Sequence, residues 1–261
     1  MTILEEIISF KRKEVSGRKD EFPESKLDNL PYFNRKTISL TIPLLKVEKT
    51  GIIAEFKKKS PSKGMINETA SVEEVVSEYA LGGACGVSIL TDNRYFGGSS
   101  TDLIRARERV QIPVLRKDFI IDKYQVAEAK GIGADVILLI AAALTPKQTY
   151  NLAKFAHDMN LQVLLEIHSQ QELNYLNDYI DIVGVNNRDL KTFRVDIGIS
   201  IELAALIPDR FVKISESGIS DVKTIRTLKA CGFHGFLIGE NFMKTTEPGK
   251  TFSEFVGMLN I

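Results

Sequence analysis

The sequence predicts an α/β fold, a (β/α)8 TIM barrel with an N-terminal helical extension, and three observations lead to this prediction. Short runs rich in Val, Ile and Leu recur at a fairly regular spacing. Segments with the 3.6-residue period of amphipathic helices separate them. Eight of the short apolar runs follow residue 50, and eight parallel strands close a barrel. We expect one domain over residues 1–261, with the extension over 1–50 and the barrel over 51–261.

The predicted strands are almost entirely apolar, as expected for parallel strands that are covered on both faces. They are Gly51–Phe56, Gly86–Leu90, Pro113–Lys117, Asp135–Ile140, Gln162–Ile167, Ile182–Asn186, Phe211–Ser215 and Gly235–Gly239. An open doubly wound sheet is the alternative, and it would place a glycine-rich turn after the first strand. The chain has Lys57-Lys-Lys-Ser-Pro-Ser62 at that place, which favours the barrel.

Helices are predicted between the strands and in the extension. Val72–Leu81, Pro146–Met159 and Asp221–Ala230 each place apolar side chains on one face. The expected N-cap residues are Ser71, Asp122, Thr145 and Ser220. A helix is predicted over Ile3–Lys13, and we expect it to pack over the barrel mouth. The alternative is that this segment is a frayed leader. A second helical stretch is expected near Ile38–Val47.

Composition and charge exclude several classes of protein. The 34 basic and 34 acidic residues give a net charge of zero, whereas a nucleic-acid or membrane partner normally requires a basic excess. No apolar run approaches the roughly 20 residues that span a bilayer, and the N-terminus lacks a secretory apolar region. We therefore expect a cytoplasmic enzyme without such partners. Cys85 and Cys231 are expected to be reduced core thiols rather than metal ligands.

Polar residues occupy the strand ends, where barrels of this kind place their chemistry. Residues two apart on a strand point the same way, so Glu166 follows Leu164 into the barrel. The polar residues in this inward phase are Glu55, Lys57, Lys117, Glu166, Asn186, Arg188 and Glu216. A phase error of one residue would put any one of them at the surface. Because a lone buried charge costs several kcal/mol, the whole set predicts an acid–base site.

Two glycine turns predict a phosphate site near the end of the chain. Ser217-Gly218-Ile219-Ser220 opens a helix after the seventh strand, and Gly239-Glu-Asn-Phe242 opens one after the eighth. Free backbone N–H groups and the helix dipole favour a dianion there. The hydroxyl of Ser60 is a further candidate. Apolar residues at other strand ends would line a pocket for an aromatic ring, with core packing as the alternative: Phe96, Phe119, Leu138, Ile140 and Leu190.

Several motifs, in order through the barrel, resemble those of the indole-3-glycerol phosphate synthase family. They are Ile53-Ala-Glu-Phe-Lys-Lys-Lys-Ser-Pro-Ser62, Leu115-Arg-Lys-Asp-Phe-Ile120, Leu165-Glu-Ile-His168, Gly184-Val-Asn-Asn-Arg-Asp-Leu190, Ser215-Glu-Ser-Gly-Ile219 and Leu237-Ile-Gly-Glu240. The first motif together with Lys-Asp-Phe is specific, whereas other phosphate-binding barrels share the glycine turns. The N-terminal helix resembles the extension of that family.

The resemblance implies a small-molecule sugar-phosphate substrate, 1-(2-carboxyphenylamino)-1-deoxyribulose 5-phosphate, and a step of L-tryptophan biosynthesis. The reaction closes a pyrrole ring, releases carbon dioxide and water, and needs neither cofactor nor metal. A monomer is expected, and a complex with other enzymes of the tryptophan pathway is left open.

The same resemblance implies roles for individual residues. Lys117 is the general acid, Glu166 its partner in dehydration, and Lys57 positions the substrate carboxylate. Glu55 and Asn186 orient these groups. The other residues implied are Arg188, Glu216 and Ser217 in the site lining, and Ser60, Gly218, Gly239 and Glu240 at the phosphate. Which lysine donates which proton stays open.

The residues fit this chemistry independently, because carbon attack on a ketone needs a proton donor at the developing alkoxide. Burial would lower the pKa of such a lysine, and adjacent carboxylates would raise it again. A Schiff-base aldolase with Lys57 or Lys117 as nucleophile is an alternative. A catalytically silent sugar-phosphate sensor is another, but binding alone does not require Glu55, Lys57, Lys117 and Glu166 together.

Overall fold

Eight parallel strands form the centre of the computed structural model, which describes residues 2–259. They are β1 (Ile52–Phe56), β2 (Gly86–Leu90), β3 (Val114–Lys117), β4 (Val136–Ile140), β5 (Gln162–Ile167), β6 (Ile182–Asn186), β7 (Val212–Glu216) and β8 (Gly235–Ile238). Each of these strands begins and ends within one residue of the position predicted from the sequence. A short antiparallel hairpin, Lys59–Ser60 with Gly64–Met65, follows β1.

The sheet closes on itself. β1 pairs with β2, where Ile53 lies opposite Gly86, and also with β8, where Ile52 lies opposite Phe236. A closed sheet has no free edge, so the open doubly wound alternative is excluded and the barrel is confirmed.

Helices surround the barrel and cover both of its ends. The α-helices are α1 (Ile3–Glu21), α2 (Thr41–Leu44), α3 (Val72–Leu81), α4 (Asn93–Phe96), α5 (Ser100–Arg109), α6 (Lys123–Ile132), α7 (Pro146–Asp158), α8 (Gly198–Ala204), α9 (Val222–Ala230), α10 (Glu240–Met243) and α11 (Pro248–Gly257). The 3-10 helices are Glu24–Asn29, Ala141–Ala143 and Gln170–Tyr175. The last of these replaces an α-helix between β5 and β6. Within residues 2–259, no helix combines the length and apolar character needed to cross a membrane.

Three of the four expected N-caps are confirmed, and one is wrong. The side chains of Ser71, Asp122 and Thr145 accept hydrogen bonds from the first turns of α3, α6 and α7. Ser220 does not cap α9, because the helix begins one residue later and Asp221 accepts from the Thr224 N–H. An aspartate at this position also interacts favourably with the positive end of the helix dipole.

Alternate residues of each strand divide the apolar core into two layers. Ile53, Leu115, Leu164 and Ile214 pack inside the barrel. Their neighbours along the strands, such as Ile52 and Leu165, pack outward against the helices. The two-residue period therefore turns Glu55, Lys117, Glu166 and Glu216 inward at the carboxyl ends of their strands.

The N-terminal extension contacts both ends of the barrel, which differs in part from expectation. Helix α1 lies over the mouth, as predicted, and continues to Glu21. The second stretch is helical only over Thr41–Leu44 and lies at the opposite end. Leu40 and Leu44 are buried there beside Gly86 and Gly235, where a side chain would collide with them. These two leucines thus close the end of the barrel at which the strands begin.

A buried network of charges fixes α1 to the mouth. The Lys11 side chain is 0% exposed, and its ammonium group lies 2.8 Å from Asp92 Oδ2 and 3.0 Å from Asp118 Oδ1. Asp118 also accepts hydrogen bonds from Thr91 and Arg116. Burial disfavours the charged form of Lys11, but Asp118 and Asp92 outweigh it and raise its pKa. Asp118 directly follows Lys117, so this network borders the predicted acid–base site.

Replacing Lys11 with Met is expected to lower the free energy of unfolding by about 3–5 kcal/mol, because Asp92 would stay buried without a cation and Asp118 would keep only Arg116. Lys13→Met, at an exposed position of the same helix, is the control and should change stability by less than about 0.5 kcal/mol. Urea denaturation measures both. Equal unfolding free energies for the two variants would contradict a stabilising role for the buried ion pair.

Candidate active site

One cavity of about 590 Å³ opens at the carboxyl ends of the strands. The structure brings every residue of the predicted site to its wall, as expected from their common phase. These residues are Glu55, Lys57, Ser60, Phe96, Lys117, Phe119, Leu138, Ile140, Glu166, Asn186, Arg188, Leu190, Glu216, Ser217, Gly218, Gly239 and Glu240. Helix α1 adds Ile3, Leu4 and Ile7 to the rim. Sequence reasoning placed α1 over the mouth but gave no signal for which of its side chains face the cavity.

Two lysines and three glutamates form the charged floor of the cavity. The Lys117 ammonium group lies 2.8 Å from Glu166 Oε2 and 3.2 Å from Glu216 Oε2. The Lys57 ammonium group donates to Glu55 Oε1 at 2.7 Å. All three carboxylates are buried, so the lysines compensate charges that would otherwise be very costly. The ion pairs hold each ammonium group at a fixed place on the floor.

The carboxylates decide the protonation state of Lys117. Burial favours the neutral amine, but the negative charges of Glu166 and Glu216 outweigh burial and raise the pKa of Lys117 well above its ordinary value. From the sequence we expect burial to lower the pKa of this lysine and nearby carboxylates to raise it. The carboxylates have the larger effect. Burial disfavours ionised Glu166, but Lys117 and His168 outweigh it and lower the pKa of this carboxyl. The pair thus carries opposite charges, with the proton on Lys117.

Glu216 behaves differently from Glu166, although both contact the same ammonium group. Burial and the nearby negative charge of Glu166 raise its pKa to about 7, against the opposing effect of Lys117. Two carboxylates that share one cation cannot both be fully stabilised in a buried site. Glu216 is therefore partly protonated near neutral pH and can gain or lose a proton there with little change in free energy.

Two glycines, Gly184 in β6 and Gly239 directly after β8, make room for the inward carboxylates. A Cβ at Gly239 would lie 2.7 Å from Glu55 Oε1, and one at Gly184 would collide with Glu216 Oε1. Neither position could carry a side chain without moving a carboxylate of the floor. Sequence reasoning assigned Gly239 to phosphate only and gave Gly184 no role, although a glycine inside a strand often marks such a close approach.

Another part of the cavity lining combines two glycine turns with the guanidinium group of Arg188. Ser217 and Gly218 follow β7 with φ values of 67° and 76°, and this left-handed conformation is strained for serine. Gly239 precedes α10 without a side-chain cap. The Arg188 guanidinium lies 3.4 Å from Ser62 Oγ and 3.5 Å from Glu240 Oε2. Residues 217–220, which line the cavity, lie just before Asp221, the N-cap of α9.

Apolar side chains cover the side of the cavity next to Lys117. The rings of Phe96 and Phe119 lie 6.0 Å apart and are partly exposed to the cavity. Leu138 and Ile140 are buried beneath them as part of the inner core. Leu190, in the loop after β6, is half-buried. The arrangement suits a flat apolar group placed between the lysine floor and the glycine turns.

Comparisons with known proteins decide the family. The sequence model of indole-3-glycerol phosphate synthase matches residues 4–255. The chain belongs to the indole-3-glycerol phosphate synthase family. Among its curated relatives of this name, that of Bacteroides thetaiotaomicron is 49% identical over 255 residues, which is 97% of each chain. That of Aliarcobacter butzleri is 40% identical and covers 99% of this chain and 100% of its own.

Members of this family are enzymes of tryptophan biosynthesis, which agrees with the resemblance noted from the motifs. Solved structures support the fold alone. A 3-hexulose-6-phosphate synthase from Salmonella typhimurium superposes with a TM-score of 0.62 at 12% identity, covering 80% of this chain and 99% of its own. A chain of the tryptophan synthase complex from Pyrococcus furiosus gives a TM-score of 0.60 at 13% identity, covering 81% and 98%.

Replacing Glu216 with Gln is expected to change how stability depends on pH. Because folding raises the pKa of Glu216 from 4.5 to about 7, the folded state binds the extra proton between these values, and the wild type loses stability as pH rises through this window. Glutamine mimics the protonated acid and removes this loss. The stability of Glu216→Gln relative to the wild type should therefore increase from pH 5 to pH 7.5.

Urea denaturation at several pH values measures this difference. Glu202→Gln, at an exposed position of α8, is the control and should follow the wild type throughout. A stability difference between Glu216→Gln and the wild type that stays constant from pH 5 to pH 7.5 would contradict the assignment of the raised pKa to Glu216.

Proposed function

We propose that this enzyme is a carboxy-lyase that converts 1-(2-carboxyphenylamino)-1-deoxyribulose 5-phosphate to indole-3-glycerol phosphate, with release of carbon dioxide and water. The observation that carries the proposal is the position of Lys117, between Glu166 and Glu216, on the floor of a cavity with one apolar wall and one wall of glycine turns. The substrate has three matching parts: a benzoate, a ketone and a phosphate.

In this proposal, Lys117 acts first as general acid. The ring carbon that bears the carboxylate attacks the ketone, and Lys117 protonates the oxygen as its negative charge develops. An alkoxide is a stronger base than an amine, so the transfer is favourable even though the pKa of Lys117 is raised. Carbon dioxide then leaves, and its bonding electrons restore the aromatic ring. Glu166 serves the dehydration that follows as the acid or base next to Lys117.

Other residues position the reacting groups. Lys57 attracts the substrate carboxylate and is held by Glu55 at 2.7 Å. Asn186 accepts a hydrogen bond from the Arg188 backbone N–H, which fixes its amide at the end of β6. In the proposal, Glu55 and Asn186 orient the lysine and carboxylate pairs, while Arg188, Glu216 and Ser217 line the reacting part of the substrate.

The two ends of the substrate would bind opposite walls. Backbone N–H groups at Gly218, Gly239 and Glu240, with the Ser60 hydroxyl, would hold the phosphate, since unpaired N–H groups favour a dianion. The benzene ring would lie against Phe96, Phe119, Leu138, Ile140 and Leu190. We also propose that the extension and the barrel act as one domain, because Lys11 and the leucines at positions 40 and 44 attach the extension at both ends.

The charge state of Lys117 distinguishes this proposal from the aldolase alternative. A Schiff base forms only from a neutral amine, whereas the neighbouring glutamates keep Lys117 protonated. Proton donation uses the ammonium form directly. The environment of Lys117 therefore favours acid–base catalysis over covalent catalysis.

The experiment is to follow indole-3-glycerol phosphate formation by fluorescence, with the carboxyphenylamino-deoxyribulose phosphate as the substrate and no cofactor added. Lys117→Ala is expected to lower kcat by about a hundredfold or more, the usual scale for loss of a general acid. Lys229→Ala, at an exposed position of α9, is the matched control and should keep wild-type kcat.

Retained product formation by Lys117→Ala would exclude the assigned role of this lysine. Borohydride added with substrate tests the alternative, since a covalent adduct on Lys57 or Lys117 would support the aldolase and contradict the proposed mechanism.

A further inference from the structure

One partly buried histidine next to the catalytic floor has no role in the mechanism above. His168 lies two residues after Glu166, just beyond the end of β5. Among residues 2–259, neither of its ring nitrogens has a hydrogen-bond partner, although both are buried. Each nitrogen nevertheless faces a carboxylate: Nε2 lies 3.4 Å from Glu166 Oε1, and Nδ1 lies 3.6 Å from Glu172 Oε2. The imidazole thus bridges two acids.

Glu172 is the more exposed of the two acids that flank this histidine. It belongs to the 3-10 helix Gln170–Tyr175, and its side chain is 17% exposed, against 14% for His168 and 3% for Glu166. Its carboxylate also accepts a hydrogen bond of 2.5 Å from the His168 backbone N–H, which keeps it beside the ring. Four groups therefore form a row from solvent to the general acid: Glu172, His168, Glu166 and Lys117, separated by 3.6, 3.4 and 2.8 Å.

The proposed reaction needs a supply of protons. The ketone oxygen leaves as water and so receives two protons, one on ring closure and one on dehydration. One proton returns when the ring carbon next to nitrogen loses hydrogen. Carbon dioxide leaves without a proton, because the substrate carries a carboxylate. One proton per turnover must therefore enter from solvent, while bound substrate fills the mouth of the cavity.

We propose that His168 relays this proton from the surface at Glu172 to Glu166, and through Glu166 to Lys117; the relay rests on the function proposed above. The Nε2–H bond of the imidazolium breaks as an O–H bond forms on Glu166. The carboxyl group then returns the neutral amine of Lys117 to its ammonium form. The imidazolium forms beforehand, when Nδ1 of the neutral Nε2–H tautomer accepts a proton from solvent beside Glu172. The Nδ1–H tautomer that remains after the transfer returns to the Nε2–H tautomer between turnovers by exchanging protons with solvent. His168 acts through Glu166 and is thus a positioning residue for proton supply.

The surroundings of His168 favour the charged imidazolium form of its ring. The charged groups that act on it are Glu172 from the 3-10 helix, Glu166 from β5 and Glu216 from β7, all of them acidic. Burial opposes the charged form, but these carboxylates outweigh it and raise the pKa of His168. Lys117 contacts Oε2 of Glu166, whereas His168 faces Oε1. The imidazolium can therefore form between turnovers.

The test compares His168→Asn with His157→Asn, which changes an exposed histidine of α7. Steady-state turnover of the carboxyphenylamino-deoxyribulose phosphate is measured in water and in deuterium oxide, from pH 6 to 9, with increasing imidazole buffer. For His168→Asn we expect kcat to fall about tenfold, less than for a direct proton donor, with KM unchanged. The solvent isotope effect should increase, and buffer should restore part of the lost kcat. His157→Asn should match the wild type.

Three outcomes would overturn the relay: wild-type kcat in His168→Asn, a loss of kcat without any buffer or isotope response, or a loss confined to KM. If His168→Asn does not fold, the Glu172→Gln variant tests the relay instead, because this substitution changes only the partly exposed acid. We expect Glu172→Gln to show the same increase in the solvent isotope effect, but a smaller one. A normal isotope effect in Glu172→Gln would then overturn the relay. Absence of turnover by the wild type would instead contradict the proposed function, so the two failures are distinguishable.

Discussion

The ammonium group of Lys117 between the carboxylates of Glu166 and Glu216 is the interaction on which the carboxyl end of the barrel depends. Three strands, β3, β5 and β7, deliver these groups to one point, and each group would be costly to bury without the others. The opposite charges offset one another's cost of burial, but the ionised form of Glu216 is stabilised less than that of Glu166. The same imbalance that costs stability supplies a group that exchanges its proton near neutral pH.

The cluster also constrains its neighbours. Gly184 and Gly239 lack side chains where a Cβ would meet Glu216 and Glu55. Asp118, next to Lys117 in the chain, is paired with Lys11 and Arg116. The floor is therefore shaped both by its own charges and by the neighbouring residues that make room for them or pair with adjacent acids.

Most of the fold and much of the site could be predicted because one physical rule governs both. Alternation along a parallel strand places Glu166 in phase with Leu164 and Glu216 in phase with Ile214, and the structure confirms both. Lys11 could not be found this way, since a charged residue on a helix usually lies in solvent and its partners are about 80 and 107 positions away along the chain. The cap at Asp221 and the position of residues 40–44 likewise depend on tertiary packing rather than on local pattern.

The leucines at positions 40 and 44 have a consequence for how the chain folds. Leu40 packs beside Gly86 at the start of β2, and Leu44 packs beside Gly235 at the start of β8. A polypeptide chain is synthesised from its N-terminus onward. The segment is therefore made before any strand of the barrel, yet its binding site is complete only when the last strand has joined the first. We therefore expect docking of these leucines to follow barrel closure and to report it.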